Sequence, residues 1–460
     1  MSGSGQHAVF PEQASRSAGL FARAGKVMPG GGTRHPIIFP PHPVYAVEGR
    51  GCRLTDVDGV ERIDFINNFS CQIHGHGHPE VTRVITEQAG RLTTAILPTE
   101  QELRLAELLA ERVAGIDQVR FCNSGTEAVM IALKAARAAT RRRLIMKMEG
   151  GYHGQYPEME CSFISEPHNW GPEEEPAKVP LSEDTPANLF DNVVVAPFNR
   201  VEATRALIRR HAAELAAVII DPFPSRMQFV RAGEEYLRML REETRAAGAL
   251  LIFDEVFCFR LDYRGAQGRF GVTPDLTTLG KIIGGGLPIG AVGGRAEVMA
   301  VFSARGAGAL PRVFHGGTFT ANPMSMAAGL RSMQLLTPAA FADLQAKGDR
   351  LRSGLRDAAA ASGLPVQVMG DASLTGIALS ARPFDGYRDM ITACGGNHRE
   401  RMFALHRHLL NEGVLISPQG ALAGSTPMTD SDIDFTVEAA GRAFAALARD
   451  DAPDRARAAE

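Results

Sequence analysis

The amino-acid sequence predicts an α/β protein: a large domain on a mostly parallel, doubly wound sheet, and a smaller α+β domain. Three observations predict it. Between about residues 76 and 335, helical patterns alternate with short apolar runs, as expected when helices cover both faces of a parallel sheet. The clearest runs, 144–148, 192–196, 217–220 and 249–253, are four or five residues long, the length of a strand and too short for a helix. Two of them, 217–220 and 249–253, flank a helical segment at 232–247 and so form a βαβ unit.

The elements follow in order. Residues 1–75 hold an expected helix over 13–28, a Gly/Pro-rich stretch, and short strands around 44–47 and 63–65. Residues 76–335 form the large domain. Residues 336–460 open with a long amphipathic helix, pass to strand–helix alternation and end in a polar tail from Asp450; the N-terminal segment completes this smaller domain. Residues 166–188 break the alternation, because Pro167, the single tryptophan Trp170, Glu173-Glu174-Glu175 and Pro180 follow no period. Such a stretch is either a solvated excursion or a lid or subunit contact.

Composition narrows the function. The chain has 460 residues, 45% hydrophobic and 22% charged, enough to bury a large core. Its net charge of −3 leaves no electrostatic footprint for nucleic acid or an anionic membrane. The apolar runs stop far short of the roughly 20 residues that span a bilayer. Residues 1–7 lack the basic-then-apolar profile of a signal peptide, so a cytoplasmic location is expected. Six cysteines without a C-x-x-C pair argue against a zinc ribbon or a disulfide framework. His74-Gly75-His76-Gly77-His78 is expected to be a turn, with no metal bound. Arg141-Arg142-Arg143 reads as a solvated connection.

Against 43 arginines the chain has six lysines, so a lysine in an apolar, glycine-rich setting calls for its own explanation. Lys281 sits between the run 276–280 and Gly284-Gly285-Gly286. Partial desolvation there favours the neutral amine, a nucleophile suited to a Schiff base. A phosphate-binding P-loop would place its glycines before the lysine and a Ser/Thr after it, so an NTPase is excluded. Asp221 and Asp254 each end a strand of the βαβ unit, at the sheet edge where open α/β folds bind ligands. Asp254 can hold a pyridine nitrogen protonated, or serve as a plain helix cap. Asn123-Ser124-Gly125-Thr126-Glu127-Ala128 opens an apolar-rich helix, either as a phosphate cup or as an ordinary N-cap. Gly150-Gly151-Tyr152-His153-Gly154 offers an aromatic in a flexible turn, able to stack on a planar group or simply to face core or solvent.

Taken together and in this order, Ser124-Gly125-Thr126, Tyr152-His153-Gly154, Asp254-Glu255-Val256, Leu279-Gly280-Lys281 and Gly317-Thr318-Phe319-Thr320-Ala321-Asn322-Pro323 resemble the class III, fold-type I aminotransferases. The resemblance runs from about Met28 to about Gly441. It implies pyridoxal 5′-phosphate (PLP) as cofactor, with Lys281 forming the internal aldimine and moving the proton between substrate carbon and cofactor. It further implies that Asp254 pairs with the ring nitrogen and that Val256 and Tyr152 lie on its two faces. Ser124, Gly125 and Thr126 would hold the phosphate, and His153 would belong to the same cofactor set. Thr318 would reach the phosphate of a neighbouring subunit, making a homodimer. Lys281, Asp254 and Tyr152 are the implied catalytic residues.

Within the class the chain looks closest to the branch of glutamate-1-semialdehyde aminomutase and the β-phenylalanine aminotransferases. The segment Asp254 to Leu261 follows the second group without a gap. Arg34 falls where that group grips the substrate carboxylate. The chain departs from the pattern at Asp221-Pro222, at Ser225-Arg226-Met227-Gln228 and at Gln419. Arg226 is a candidate for gripping an acidic substrate, and Gln419 weakens the case for 2-oxoglutarate as acceptor. The expected function is amino transfer from an amino acid, possibly a β-amino acid, or an amine to a carbonyl acceptor. The alternative is an isomerase, an aminomutase or racemase, built from the same parts.

Overall fold

Seven strands build the main sheet, in the order Gln118–Cys122, Gly290–Gly294, Leu276–Gly280, Leu250–Asp254, Leu215–Ile220, Leu144–Met148, Val193–Ala196. This computed structural model describes residues 9–12, 14–304 and 309–450. The expected helix start at Gln13, the leading residues 1–7 and the tail after Asp450 lie outside the described residues. Only Gly290–Gly294 runs against its neighbours, pairing antiparallel on both sides, and every other ladder is parallel. The expected α/β class with a mostly parallel sheet is thus what forms. The reason is visible in burial: Leu144–Met148, Leu215–Ile220 and Leu250–Asp254 are buried at every residue, as strands covered on both faces must be.

Two strands of this sheet, Gln118–Cys122 and Gly290–Gly294, escaped the sequence reading. Gly290–Gly294 carries three glycines, a poor strand former by composition. The glycines are there for clearance, since a Cβ on Gly290 would lie 2.0 Å from the carbonyl oxygen of Ser124. That close approach presses the start of the helix Gly125–Thr140 against the sheet edge. The helix buries Ala128, Val129, Ile131, Ala132, Leu133, Ala135 and Ala136, and each fully buried aliphatic of valine size or larger contributes about 1.5–3 kcal/mol.

The chain divides into two compact units. One comprises Met1–His78, Asp343–Arg382 and Ala393–Glu460; the other comprises Pro79–Ala342 and Pro383–Thr392. The ten-residue return of Pro383–Thr392 was absent from the sequence reading. The second unit holds the seven-stranded sheet. The first holds a four-stranded sheet in the order Ala46–Arg50, Arg53–Asp56, Glu61–Asp64, Val414–Leu415, and a three-stranded sheet, Gln367–Asp371, Leu374–Ala378 and Ala421–Ala423. Its core gathers Phe65, Leu355, Leu405 and Phe444.

Boundaries moved in predictable ways. The described helix near the N-terminus is Arg16–Ala24, begun by Ser15 Oγ accepting the N–H of Ala18 and ended at Gly25, shorter at both ends than the expected 13–28. In the first unit, His76 Nε2 meets Asp64 at 2.9 Å and His74 Nδ1 meets Thr426 Oγ1 at 3.3 Å. Among the described residues no group of three or more His, Cys, Asp or Glu is placed to hold a metal ion, and no helix is long and apolar enough to cross a membrane.

Candidate active site

The carboxyl edge of the seven-stranded sheet collects Ser124, Gly125, Thr126, His153, Asp254, Val256 and Lys281. Asp254 ends its strand, buried to 4% exposure. Its Oδ1 accepts from Thr278 Oγ1 at 2.9 Å and from the N–H of Val256 at 3.1 Å, and its Oδ2 faces His153 Nδ1 at 2.8 Å. A carboxylate offers roughly four acceptor positions, so one remains for a further donor. Burial pulls the pKa of His153 down, against the pull of Asp254 in the other direction. A neutral ring that donates from Nδ1 leaves Nε2 a bare acceptor, and that atom is buried without a partner.

Ser124 caps the sixteen-residue helix Gly125–Thr140, its Oγ accepting the N–H of Glu127 and its carbonyl accepting that of Ala128. The N–H groups of Gly125 and Thr126 point out of that first turn, where the helix dipole favours an anion. Glu127 turns back to accept the N–H of Asn123 at 2.9 Å, which fixes the entry to the turn. Val256 links three motifs. A Cβ on Gly125 would lie 2.8 Å from its Cγ1, and one on Gly280 3.3 Å from the same atom. The Tyr152-His153-Gly154 turn closes on the same helix start, because the N–H of Gln155 donates to Thr126 Oγ1 and Gly154 has no room for a Cβ against that side chain.

Lys281 follows the strand Leu276–Gly280 directly, with φ of 50°. A left-handed lysine costs about 1–3 kcal/mol and persists only where its surroundings impose it. Here the turn Lys281–Gly284 runs into Gly285 at φ +59°, whose Cβ position lies 2.5 Å from the carbonyl oxygen of Ala328. Lys281 Nζ stands 5.0 Å from the centroid of Phe257, and its charge reaches Asp221. Asp221 is pushed up to about 7, first by burial and then by Asp254, so it keeps its proton below about pH 7 and shares it near neutral pH.

Tyr152 is 47% exposed, and its ring lies 5.1 Å from Phe163. The Arg226 guanidinium lies over the Phe163 ring at 4.7 Å, on the turn Ser225–Met227 that departs from the family pattern. Thr318 is exposed in an irregular loop whose Gly317 lies beside Asn123. Arg34 belongs to the other unit, where its Nη1 donates to Asn68 Oδ1 at 2.7 Å. Asn68 stands in a run of four left-handed residues, Asn67 to Ser70. Gln419, also in that unit, accepts from Ser417 Oγ at 2.6 Å.

A planar ring with a phosphate fits this donor set: open N–H groups at a helix start, a buried carboxylate with a spare acceptor position, and an amine, all at the carboxyl edge of one sheet. Sequence reasoning missed Thr278, Lys147, Glu149, Tyr387 and Arg388. Thr278 was findable, two residues before Gly280 on the strand beside Asp254. The other four had no local signal.

Comparison with known proteins agrees with this geometry. The model of the class III aminotransferase family matches residues 39–437. The glutamate-1-semialdehyde 2,1-aminomutase of Desulforudis audaxviator is 40% identical over 436 residues, covering 93% of this chain and 97% of that protein. Among solved structures, an omega-transaminase from Sphaerobacter thermophilus is 46% identical, with 95% of this chain and 99% of the other covered and a TM-score of 0.91. A β-phenylalanine aminotransferase from Variovorax paradoxus is 36% identical, with 93% of each chain covered and a TM-score of 0.82.

Proposed function

The chain belongs to the class III aminotransferases, enzymes of PLP, and we propose that it moves the amino group of a carboxylate-bearing substrate at Lys281. One observation carries this reading: the helix start at Ser124, the Asp254–His153 pair, Val256 and Lys281 converge on one edge of one sheet. PLP supplies an aldehyde that condenses with amines and, with its ring nitrogen protonated, an electron sink for the adjoining carbon. The chain's own residues do the rest. Gly125 and Thr126 N–H groups and the hydroxyls of Ser124 and Thr126 bind the phosphate. Asp254, oriented by Thr278 and His153, keeps the ring nitrogen cationic. Val256 and Tyr152 hold the ring between them. Lys281 Nζ would take the proton from the substrate carbon and deliver it across the site. Arg34 and Arg226 grip carboxylate. The minimal unit is a cytoplasmic homodimer in which Thr318 serves the neighbouring subunit's phosphate. Ile96, Leu97, Phe314 and Phe319, all exposed, support such an interface.

The nitrogen has two fates. The curated relatives carry aminomutase names at 36–40% identity, which supports return of the nitrogen to the same skeleton, the alternative in the sequence reading, better than transfer. The second reading, transfer to a separate carbonyl acceptor, draws on the 46% identity to an omega-transaminase and on the ungapped segment from Asp254 to Leu261. Incubating the PLP-loaded enzyme with one amino donor and no acceptor separates them. An isomerised product without stoichiometric keto acid supports the mutase, and one equivalent of keto product supports transfer. A Lys281→Ala variant that retains turnover would overturn both.

A further inference from the structure

The geometry points to Arg388 as the positioning residue that holds the Tyr152–His153 turn against Asp254, acting through Glu149 from the returning segment Pro383–Thr392. The inference rests on the cofactor reading above. The turn has no regular secondary structure over Gly151–Gly154, so its shape comes from side chains around it. Glu149, 1% exposed, is the first of these. Its Oε2 accepts from Arg388 Nε at 2.7 Å, and its Oε1 accepts from Arg388 Nη2 at 3.3 Å and from Ser165 Oγ at 2.8 Å. The Arg388 side chain is itself only 14% exposed, so the pair is nearly dry, and removing the cation strands a buried carboxylate.

Tyr387 secures the next residue. Its ring covers Gly150, which has φ +74° and whose Cβ position lies 2.1 Å from Tyr387 Cδ2. Its hydroxyl accepts the N–H of Ser165 at 3.0 Å and donates to the Ser165 carbonyl at 2.9 Å. Gly151 follows, then Tyr152 and His153. Arg388 therefore fastens the turn at the residue where it leaves the strand. The same guanidinium serves the insertion. It donates to the carbonyls of Trp170 at 2.8 Å and Gly171 at 2.9 Å, and lies 4.9 Å over the Trp170 ring. Arg200 joins Glu173 of the insertion to Asp385 and Asp389 of the returning segment. The insertion at 166–188 is fastened to the same point as the turn, and a displaced Arg388 shifts His153 relative to Asp254.

The test compares holoenzyme variants by two readouts besides turnover: the PLP dissociation constant, and the pH midpoint of the bound cofactor's visible absorbance. Arg388→Met is expected to weaken PLP binding by about tenfold or more and to shift the midpoint by roughly half a pH unit. It should lower kcat more than it raises KM. Arg388→Lys should restore part of each, and Arg210→Met, which frees only the exposed Glu175 end of the insertion, should match wild type. If Arg388→Met does not fold, the double variant Arg388→Met/Glu149→Gln removes both charges, and the same midpoint shift is expected there. A folded variant with wild-type PLP affinity and midpoint overturns the inference. A wild-type protein that develops no visible absorbance with PLP overturns the cofactor reading instead, so the two failures are distinct.

Discussion

The strand ends and the Tyr152–His153 turn build adjoining walls of one site by different means. Asp254 and Lys281 are placed by the backbone: each closes a fully buried strand, and the parallel ladder pairs Asp254 with Thr278 across it. The turn is placed by buried side chains. Lys147, fully buried, donates from one Nζ to the carbonyls of Gly151 at 3.0 Å, Met159 at 3.0 Å and Cys161 at 2.6 Å, while Glu149 and Tyr387 fix it from outside. Burial pulls the Lys147 pKa down to about 8. Three carbonyl acceptors nevertheless need three N–H donors, which only the ammonium has. A ladder spreads its constraint over many modest bonds; the turn concentrates it in a few charged groups.

The largest effect should therefore come from the turn. Lys147→Met leaves three buried carbonyls without their cation and is expected to lower stability by about 3–5 kcal/mol, read from the denaturant midpoint. A loss under 1 kcal/mol would mean the ladder alone supports this wall. At the strand end, Asp254→Asn keeps the shape and removes the charge. Turnover should fall by roughly 10²–10³-fold with little change in the urea midpoint of the cofactor-free protein. A matching loss of stability would erase the contrast between the two walls.

Asp221 gives a pH test of the strand-end side. Its folded pKa of about 7 lies above the model-compound value of 3.8 that applies when unfolded. Between about pH 4 and 7 the folded protein keeps a proton that the unfolded chain has lost. Stability of the cofactor-free protein should fall as pH rises through that window and level off above it. Asp221→Asn should gain about 2 kcal/mol on wild type between pH 5 and 8, with urea titrations at both pH values as the measurement. Glu255, raised likewise to about 7, keeps some of the slope in the variant. The smallest effect is expected at the rim: Trp170→Ala removes the ring under Arg388 and should cost about 0.5–1 kcal/mol with PLP binding intact.

The same contrast explains what could be read from the sequence. Strands 144–148 and 250–254 stood out because burial on both faces demands unbroken apolar runs, and the acid at the end of one was visible from its place in a βαβ unit. Lys281 drew attention because lysine is rare in this chain. The His153–Asp254 contact closes across 101 residues and the Arg388–Glu149 pair across 239. No periodicity connects such pairs; a lone arginine in a Tyr-Arg-Asp string resembles any solvated one. Gly290–Gly294 was missed for a related reason, since its Gly290 makes room for Ser124 at a distant helix start, and Gly293 and Gly294 make room for Ile116 and Leu276, so the glycines answer to tertiary contacts rather than to strand propensity.

Pro383–Thr392 is counted with the large unit although both of its flanks belong to the other one. A gene truncated after Ala342 would encode the whole seven-stranded sheet yet omit Arg388 and Tyr387. The missing decapeptide would have to be added back separately, so this enzyme divides for split-protein complementation only if that short piece travels with the larger fragment.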